Sequence, residues 1–352
     1  VKISKPHFLF IFWLSAAFMG ALIPIACTNT SSNFNPTSPA TPIVLSATAT
    51  NAFGFTSTPT FTIQATSTPT NTPMVTPITV AAICTPNAPN GLAVSGSKIY
   101  VAGGDGNLSI YPIAGGGALN VVNNFNNTTV FGSLSAVAVD GSGNYYVIDS
   151  GSNAVYEWNS AGATVATWNS YNGQIFISPQ GIAVVGSPAT VYVADTGNNV
   201  IDEFTTNPTI TPFQQIGYPG GGGNGNFDNP TGIAIGPAGV TVYVADMDDD
   251  LIQEFVSGSF VKQFSTPPES ISNAPGIMSI AVNSSGNVFA ADYSNGYIED
   301  YNSTSSPVTL LSQWGGPSAG PDPGFTGVAL NSAATTLYVA DYDNNAIYAI
   351  AP

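Results

Sequence analysis

Three features of this sequence predict an all-β protein built as a ring of six four-stranded antiparallel units. The first is a stretch made of an apolar residue, an aromatic, two small or apolar residues and an acid. It appears as Val191-Tyr-Val-Ala-Asp195, Val242-Tyr-Val-Ala-Asp246 and Leu337-Tyr-Val-Ala-Asp341. Looser copies run from Tyr145 to Asp149, Val288 to Asp292 and Ile99 to Gly103. The last positions are therefore 103, 149, 195, 246, 292 and 341, with spacings of 46, 46, 51, 46 and 49. The second feature is that every copy divides into short β-rich runs separated by turn residues. The third is that two columns are nearly invariant among the copies, one small and one aromatic. A fixed period of this length, in units that cannot bury a face alone, is the signature of a β-propeller.

Taken in chain order, residues 1–26 read as an export leader. Lys2, Lys5 and His7 precede an uncharged apolar run from Phe8 to Ala26, which is the layout of a signal peptide. The run ends in Leu22-Ile-Pro-Ile-Ala26-Cys27 and resembles the lipobox of bacterial lipoproteins, so Cys27 is the expected lipidation site. The alternative is an uncleaved anchor, since the run is long enough to span a bilayer. Either reading places the remainder outside the cytoplasm, attached to the bacterial envelope or cell surface. Residues 27–73 are rich in Thr, Ser, Pro and Asn and are expected to form a disordered tether.

Loss of the leader would also remove the only histidine. Beyond Cys27 the chain keeps Lys98 and Lys262, has no arginine, and carries all twenty Asp and Glu. Nucleic-acid binding needs Lys and Arg against phosphate, so that class is excluded, as is attraction to anionic lipid. Membrane contact is expected through the N-terminal lipid only, on a monomeric propeller. With Cys27 assigned to lipid, Cys84 has no partner and no intrachain disulfide is expected.

Residues 74–352 hold the propeller, with blades at approximately 87–127, 128–172, 173–220, 221–268, 269–315 and 316–352. One unit shows the plan: Gly181 to Val184, Val191 to Asp195, Val200 to Phe204, then a run around Pro212 to Ile216. Asp, Gly and Asn between the second and third strands supply turn chemistry. The first strands carry Ala93, Ala138, Ala183, Ala234, Ala281 and Ala329, small enough for the crowded axis. The second strands carry Tyr100, Tyr146, Tyr192, Tyr243, Phe289 and Tyr338, read as packing between blades. The sixth unit reaches only its third strand, Ala346 to Ile350. The orphan run 78–83 is therefore predicted to supply the outermost strand of that blade and to close the ring.

The segment from Ile216 to Ile235, with its glycine-rich start, Phe227 and Pro230-Thr-Gly232, followed by Val242 to Asp246, resembles an NHL repeat. Asp195 to Asn199 with Ile201 and Phe204 matches the remainder of that motif. The resemblance covers residues 87–352 and implies a six-bladed propeller of the bacterial lipoprotein type. The Tyr-Val-Ala-Asp turns are also similar to those of YVTN propellers. The basic residue that NHL repeats commonly carry after the turn asparagine is here Val200, Leu251 or Ala346, which argues against the basic binding surfaces of some relatives.

Alternating strand direction puts the turn after each second strand on the same face as the loop leading into each first strand. That face collects the turn acids Asp105, Asp149, Asp195, Asp246, Asp292 and Asp341, together with the long loops 219–230 and 314–325. It is the candidate binding face. Asp246, Asp248 and Asp250 have the alternate spacing of a calcium loop and are the candidate metal ligands. Leu251 and Ser257 stand where an EF-hand needs Gly and Glu, and the same alternate places hold Asp149, Gly151 and Asn153 in one copy and Asp341, Asp343 and Asn345 in another, so turn capping is the competing reading. No other cofactor is expected.

Without the histidine there is no Ser-His-Asp triad and no imidazole base. Propellers that act as streptogramin or peptide-amidating lyases rely on histidines, so their chemistry does not carry over. The leading expectation is a lipid-anchored scaffold that binds a protein or glycan partner without chemistry. The alternatives are a calcium-dependent lactonase of the gluconolactonase type and a structural cell-surface protein.

Overall fold

Hydrogen-bond ladders sort the strands into six four-stranded antiparallel sheets and two short two-stranded sheets, and five of the six blades are each one sequence repeat. The computed structural model describes residues 83–84, 88–113, 120–122, 131–206, 209–265, 276–315 and 324–352. The leader, the tether and Cys27 lie outside the described residues, as do residues 78–82 and 316–323. Among the described residues no helix is long and apolar enough to cross a membrane.

Blade 3 shows why these residues make a blade. Its strands are Gly181–Val185, Thr190–Asp195, Val200–Thr205 and Thr211–Ile216. The second strand is a run of β-branched and aromatic residues with alternate side chains on opposite faces. Val191 and Val193 enter the cluster shared with blade 2, and Tyr192 and Ala194 enter the one shared with blade 4. Both faces are buried because blades stack on both sides. The second-strand aromatics are all buried, from 1% exposed at Tyr146 and Phe289 to 6% at Tyr100 and Tyr192. Burial of such a side chain contributes about 2–3 kcal/mol, repeated at each junction between blades.

Crowding at the axis selects the smallest residues one position after a bulge. A Cβ on Gly181 would lie 1.7 Å from the Thr231 carbonyl oxygen, and one on Gly327 would lie 2.6 Å from that of Asn90. Five of the six first strands shift register at this point, as between Leu134 and Ala136 or between Ile277 and Ser279. The shift turns the residue before the small one out of the ladder. Those residues are Asn90, Ser135, Thr231, Met278 and Thr326; in blade 3, which has no shift, Gln180 takes the corresponding place just before the first strand.

Four of them clasp the next blade. Asn90 Nδ2 donates to the Leu134 carbonyl at 2.8 Å, Ser135 Oγ to Pro179 at 3.2 Å, Thr231 Oγ1 to Ile277 at 2.9 Å and Thr326 Oγ1 to Pro89 at 2.7 Å. Between blades 3 and 4 the same service comes from Thr196 Oγ1, which donates to the Pro230 carbonyl at 2.8 Å. The Thr326 bond joins the sixth blade to the first.

The sixth blade is closed by the N-terminal segment, as expected, through a described strand that shares only Ile83 with the predicted run 78–83. Ile83–Cys84 pairs antiparallel with the last strand, Ile83 opposite Ile347 and Cys84 opposite Ala346, as the outermost strand of the blade formed by Phe325–Leu330, Leu337–Asp341 and Ala346–Ile350. The loop at 219–230 is more ordered than its glycines suggest. Tyr218–Pro219 pairs in parallel with Asn226–Phe227. Gly217 has φ +78° and a Cβ there would strike the Phe227 ring at 2.1 Å, so the residue type follows from the packing.

Candidate functional site

The motif acids turn inward. Asp149, Asp195, Asp246, Asp292 and Asp341 are each at most 1% exposed. Asp149 accepts from the backbone N–H of Gly132, Ser133 and Gly151 at 3.0–3.2 Å, and from Ser152 Oγ at 2.8 Å. Asp195 accepts from the Ile177 N–H at 2.7 Å and Asn198 Nδ2 at 2.7 Å. Asp246 accepts from the Asp228 N–H and from Gln253 Nε2, both at 2.7 Å. Asp292 and Asp341 bind the amides of Asn295 and Asn344 in their own turns. The acid thus bolts its turn or fixes the loop that leads into its own blade. Burial pushes the Asp246 carboxyl up to about 7, even against two donors. Blade 1 departs from this plan: Asp105 is exposed and binds the amide and side chain of Asn107.

The three calcium candidates sit in different surroundings. Asp246 is buried under the turn, Asp248 and Asp250 are exposed, and Asp248 accepts from Asn229 Nδ2. Asp250 sits at φ 51°, the left-handed corner of the turn. Among the described residues no three His, Cys, Asp or Glu side chains form a group able to hold a metal ion.

What opens onto this face is the residue after four of the acids. Ser150, Met247, Tyr293 and Tyr342 line the mouth of a central funnel. Its floor is a cavity of 70 Å³ walled by first-strand residues of all six blades, including Ser135, Gln180, Met278 and Thr326. Above lie two hollows of 400 and 410 Å³ that share Asn90, Gln180, Met278 and Thr326. The start of each first strand, bulged in five of the six blades, supplies the lower ring of side chains, and the second-strand turns supply the upper one.

The funnel has two unlike halves and no charge among its described lining residues. One half presents Ser133, Ser135, Ser150 and Ser178 beside the amides of Asn90 and Gln180. The other presents Met247, Met278, Tyr293 and Tyr342. Burial, aided by Asp343, raises the Tyr293 phenol, so it stays a neutral donor. Such a surface can stack an apolar face and exchange hydrogen bonds with neutral polar groups. None of its described residues is a carboxylate or imidazole that would move a proton.

Sequence reasoning singled out the acid in each turn, and five of those six acids are buried, because an acid that ends a strand looks exposed until the preceding loop is folded onto it. It also passed over a column of third-strand acids. Glu157, Glu203, Glu254 and Asp300 stand directly opposite the second-strand aromatics Tyr146, Tyr192, Tyr243 and Phe289. Tyr146 Oη donates to Glu157 at 3.1 Å, and burial first, then Glu203, pushes Tyr192 up to about 12. The signal was present: opposite the second-strand aromatic, Tyr faces Glu in blades 2, 3 and 4, and Phe faces Asp in blade 5.

No protein-family profile and no curated protein matches the sequence. Solved structures do resemble the fold. A streptogramin B lyase superposes with TM-score 0.54 at 12% identity, over 76% of this chain and 94% of that one. A gluconolactonase from Xanthomonas campestris gives 0.54 at 12%, over 77% and 89%. Virginiamycin B lyase from Staphylococcus aureus gives 0.54 at 13%, over 78% and 99%. The protein is a six-bladed β-propeller of the architecture these enzymes share, and identities this low carry no activity with them.

Proposed function

We propose that this propeller is a non-catalytic binding module that holds a neutral glycan, or the glycan of a glycoprotein partner, in its central funnel. The observation that carries this reading is the uncharged, two-faced lining on a chain of net charge −16. Tyr293 and Tyr342 offer rings for a sugar face, and Gln180, Asn90 and the serines offer donors and acceptors for its hydroxyls. Export, lipidation at Cys27 and a Thr/Ser/Pro-rich tether complete the proposal and would hold the module at the cell surface. The repeat type is taken to be NHL on the residues quoted above.

A glycan array probed with the full chain, followed by calorimetry on the best neutral oligosaccharide, tests this. Gln180→Ala and Tyr342→Ala are each expected to weaken binding at least tenfold. Failure to retain any neutral glycan, or binding untouched by both substitutions, would overturn it. The second reading, a calcium-dependent lactonase, rests on the likeness of fold to the gluconolactonase. It requires calcium to release heat on titration and Asp248→Asn to abolish that heat.

A further inference from the structure

A second concave site lies on the perimeter, between blades 2 and 3, and one register position explains its chemistry. In blades 2, 3 and 4 a glutamate on the third strand stands opposite a tyrosine on the second: Glu157, Glu203 and Glu254. Across the ladder the fourth strand places Ala166, Gln214 and Lys262 opposite them in turn. Lys262 Nζ lies 3.3 Å from Glu254, and Gln214 Nε2 donates to Glu203. Ala166 has nothing to donate. At that place a groove of 610 Å³ opens, lined by Glu157, Ala166, Trp168, Phe204, Thr206 and Ile210 among others.

We propose that this groove binds a primary alkylammonium group, either a free amine or a lysine side chain of a polypeptide, whose nitrogen takes beside Glu157 the place that Lys262 Nζ takes beside Glu254.

The reasoning is one of substitution within the molecule. A buried carboxylate that forgoes water needs a partner, and the fold meets that need differently in each blade. Glu157 is 6% exposed and receives the Tyr146 hydroxyl. Asp140, 8% exposed, adds negative potential from the neighbouring turn. The lysines among the described residues are Lys98 and Lys262, and Lys262 is engaged in blade 4. The walls suit an alkyl chain with a cationic head better than an inorganic ion. Trp168 and Phe204 meet edge-on with centroids 5.8 Å apart, and an indole attracts ammonium through its face. The volume lies within the usual range for small-molecule sites, about 300–1,000 Å³.

Titration calorimetry of the full chain with n-pentylamine and with the capped peptide acetyl-Gly-Lys-Gly-amide tests the proposal, with n-pentanol as the neutral isostere. At least one amine is expected to bind and the alcohol is not. Glu157→Gln should weaken that binding at least tenfold. Ala166→Lys should abolish it by supplying the ammonium from within, while Glu203→Gln, one blade away, should leave it unchanged. Binding of both amines assigns the site to alkylammonium generally, and binding of the peptide alone assigns it to a polypeptide lysine. The proposal is overturned if neither amine binds, if pentanol binds as well as pentylamine, or if affinity survives both Glu157→Gln and Ala166→Lys in folded protein.

Discussion

Around the axis the first strands repeat one solution, with Gly91, Ala136, Gly181, Gly232, Ser279 and Gly327 at one position. At the perimeter the fourth strands set Ala166, Gln214, Lys262 and Ser312 opposite third-strand acids, with no two alike. Near the axis, neighbouring backbones approach within contact distance, and one added methyl meets main chain that cannot yield. Further out the blades diverge like spokes, and the gap is filled by whatever side chain is present. The inner columns therefore record the fold, and the outer columns record what distinguishes one blade from the next.

That contrast can be broken most forcefully at Gly181. Gly181→Ala should cost roughly 3 kcal/mol, because the new Cβ meets the Thr231 carbonyl oxygen at 1.7 Å and overpacking of this kind shifts backbone. Gly141, with nothing within 4 Å of an added Cβ, should change stability by less than about 0.5 kcal/mol when made alanine. Urea unfolding of the two variants is the comparison. Equal midpoints would mean that the axis yields more than its geometry allows.

A smaller effect is expected one layer out, among the inward-turned acids. Asp246→Ala removes the acceptor of the Asp228 N–H and of Gln253 and should cost about 2 kcal/mol. Asp105→Ala, at the exposed position of blade 1, should stay within about 0.5 kcal/mol. Thermal melts of both would separate bolted acids from surface ones, and a loss at Asp105 to match that at Asp246 would contradict the distinction.

The mildest test concerns pH and lies on the third strand. Asp202 is fully buried, accepts from Gln215 Nε2 at 2.9 Å through one oxygen, and has no hydrogen-bond partner for the other. Burial pushes it from 3.8 up to about 7. The folded state thus holds a proton that the unfolded chain releases near pH 4. This contribution is fully present below about pH 4 and is lost as pH rises through about 7. Burial also raises Asp300, to about 6, and Asp246, in the same sense. Stability should therefore fall between pH 4 and 7, and Asp202→Asn should fall less steeply. A stability that rises over that interval would refute the assignment.

Much of this was legible before any coordinates. Blade number, the alanine and aromatic columns and the closing strand all follow from spacing, because a repeated packing problem leaves a repeated answer in sequence. The funnel was harder to read. Its walls come from Asn90, Ser135, Gln180, Met278 and Thr326, a column that varies in chemistry because only its place at the start of the first strand is fixed. Met247, Tyr293 and Tyr342 vary for the same reason. The groove beside Glu157 was invisible in sequence, since it depends on a side chain missing at Ala166 and on Phe204 from the next blade.

The closing contacts have one more consequence. Ile83 pairs with Ile347, and Thr326 reaches Pro89 across 237 positions of sequence, yet these bonds are of the same kind as those joining blades adjacent in the chain. The bonds between blades do not mark a first blade. A chain permuted circularly, with its ends joined and a new break at the hairpin of the exposed Ser257, would keep every inter-blade clasp. The order of blades along the polypeptide is thus a matter of history, and the ring would accept another.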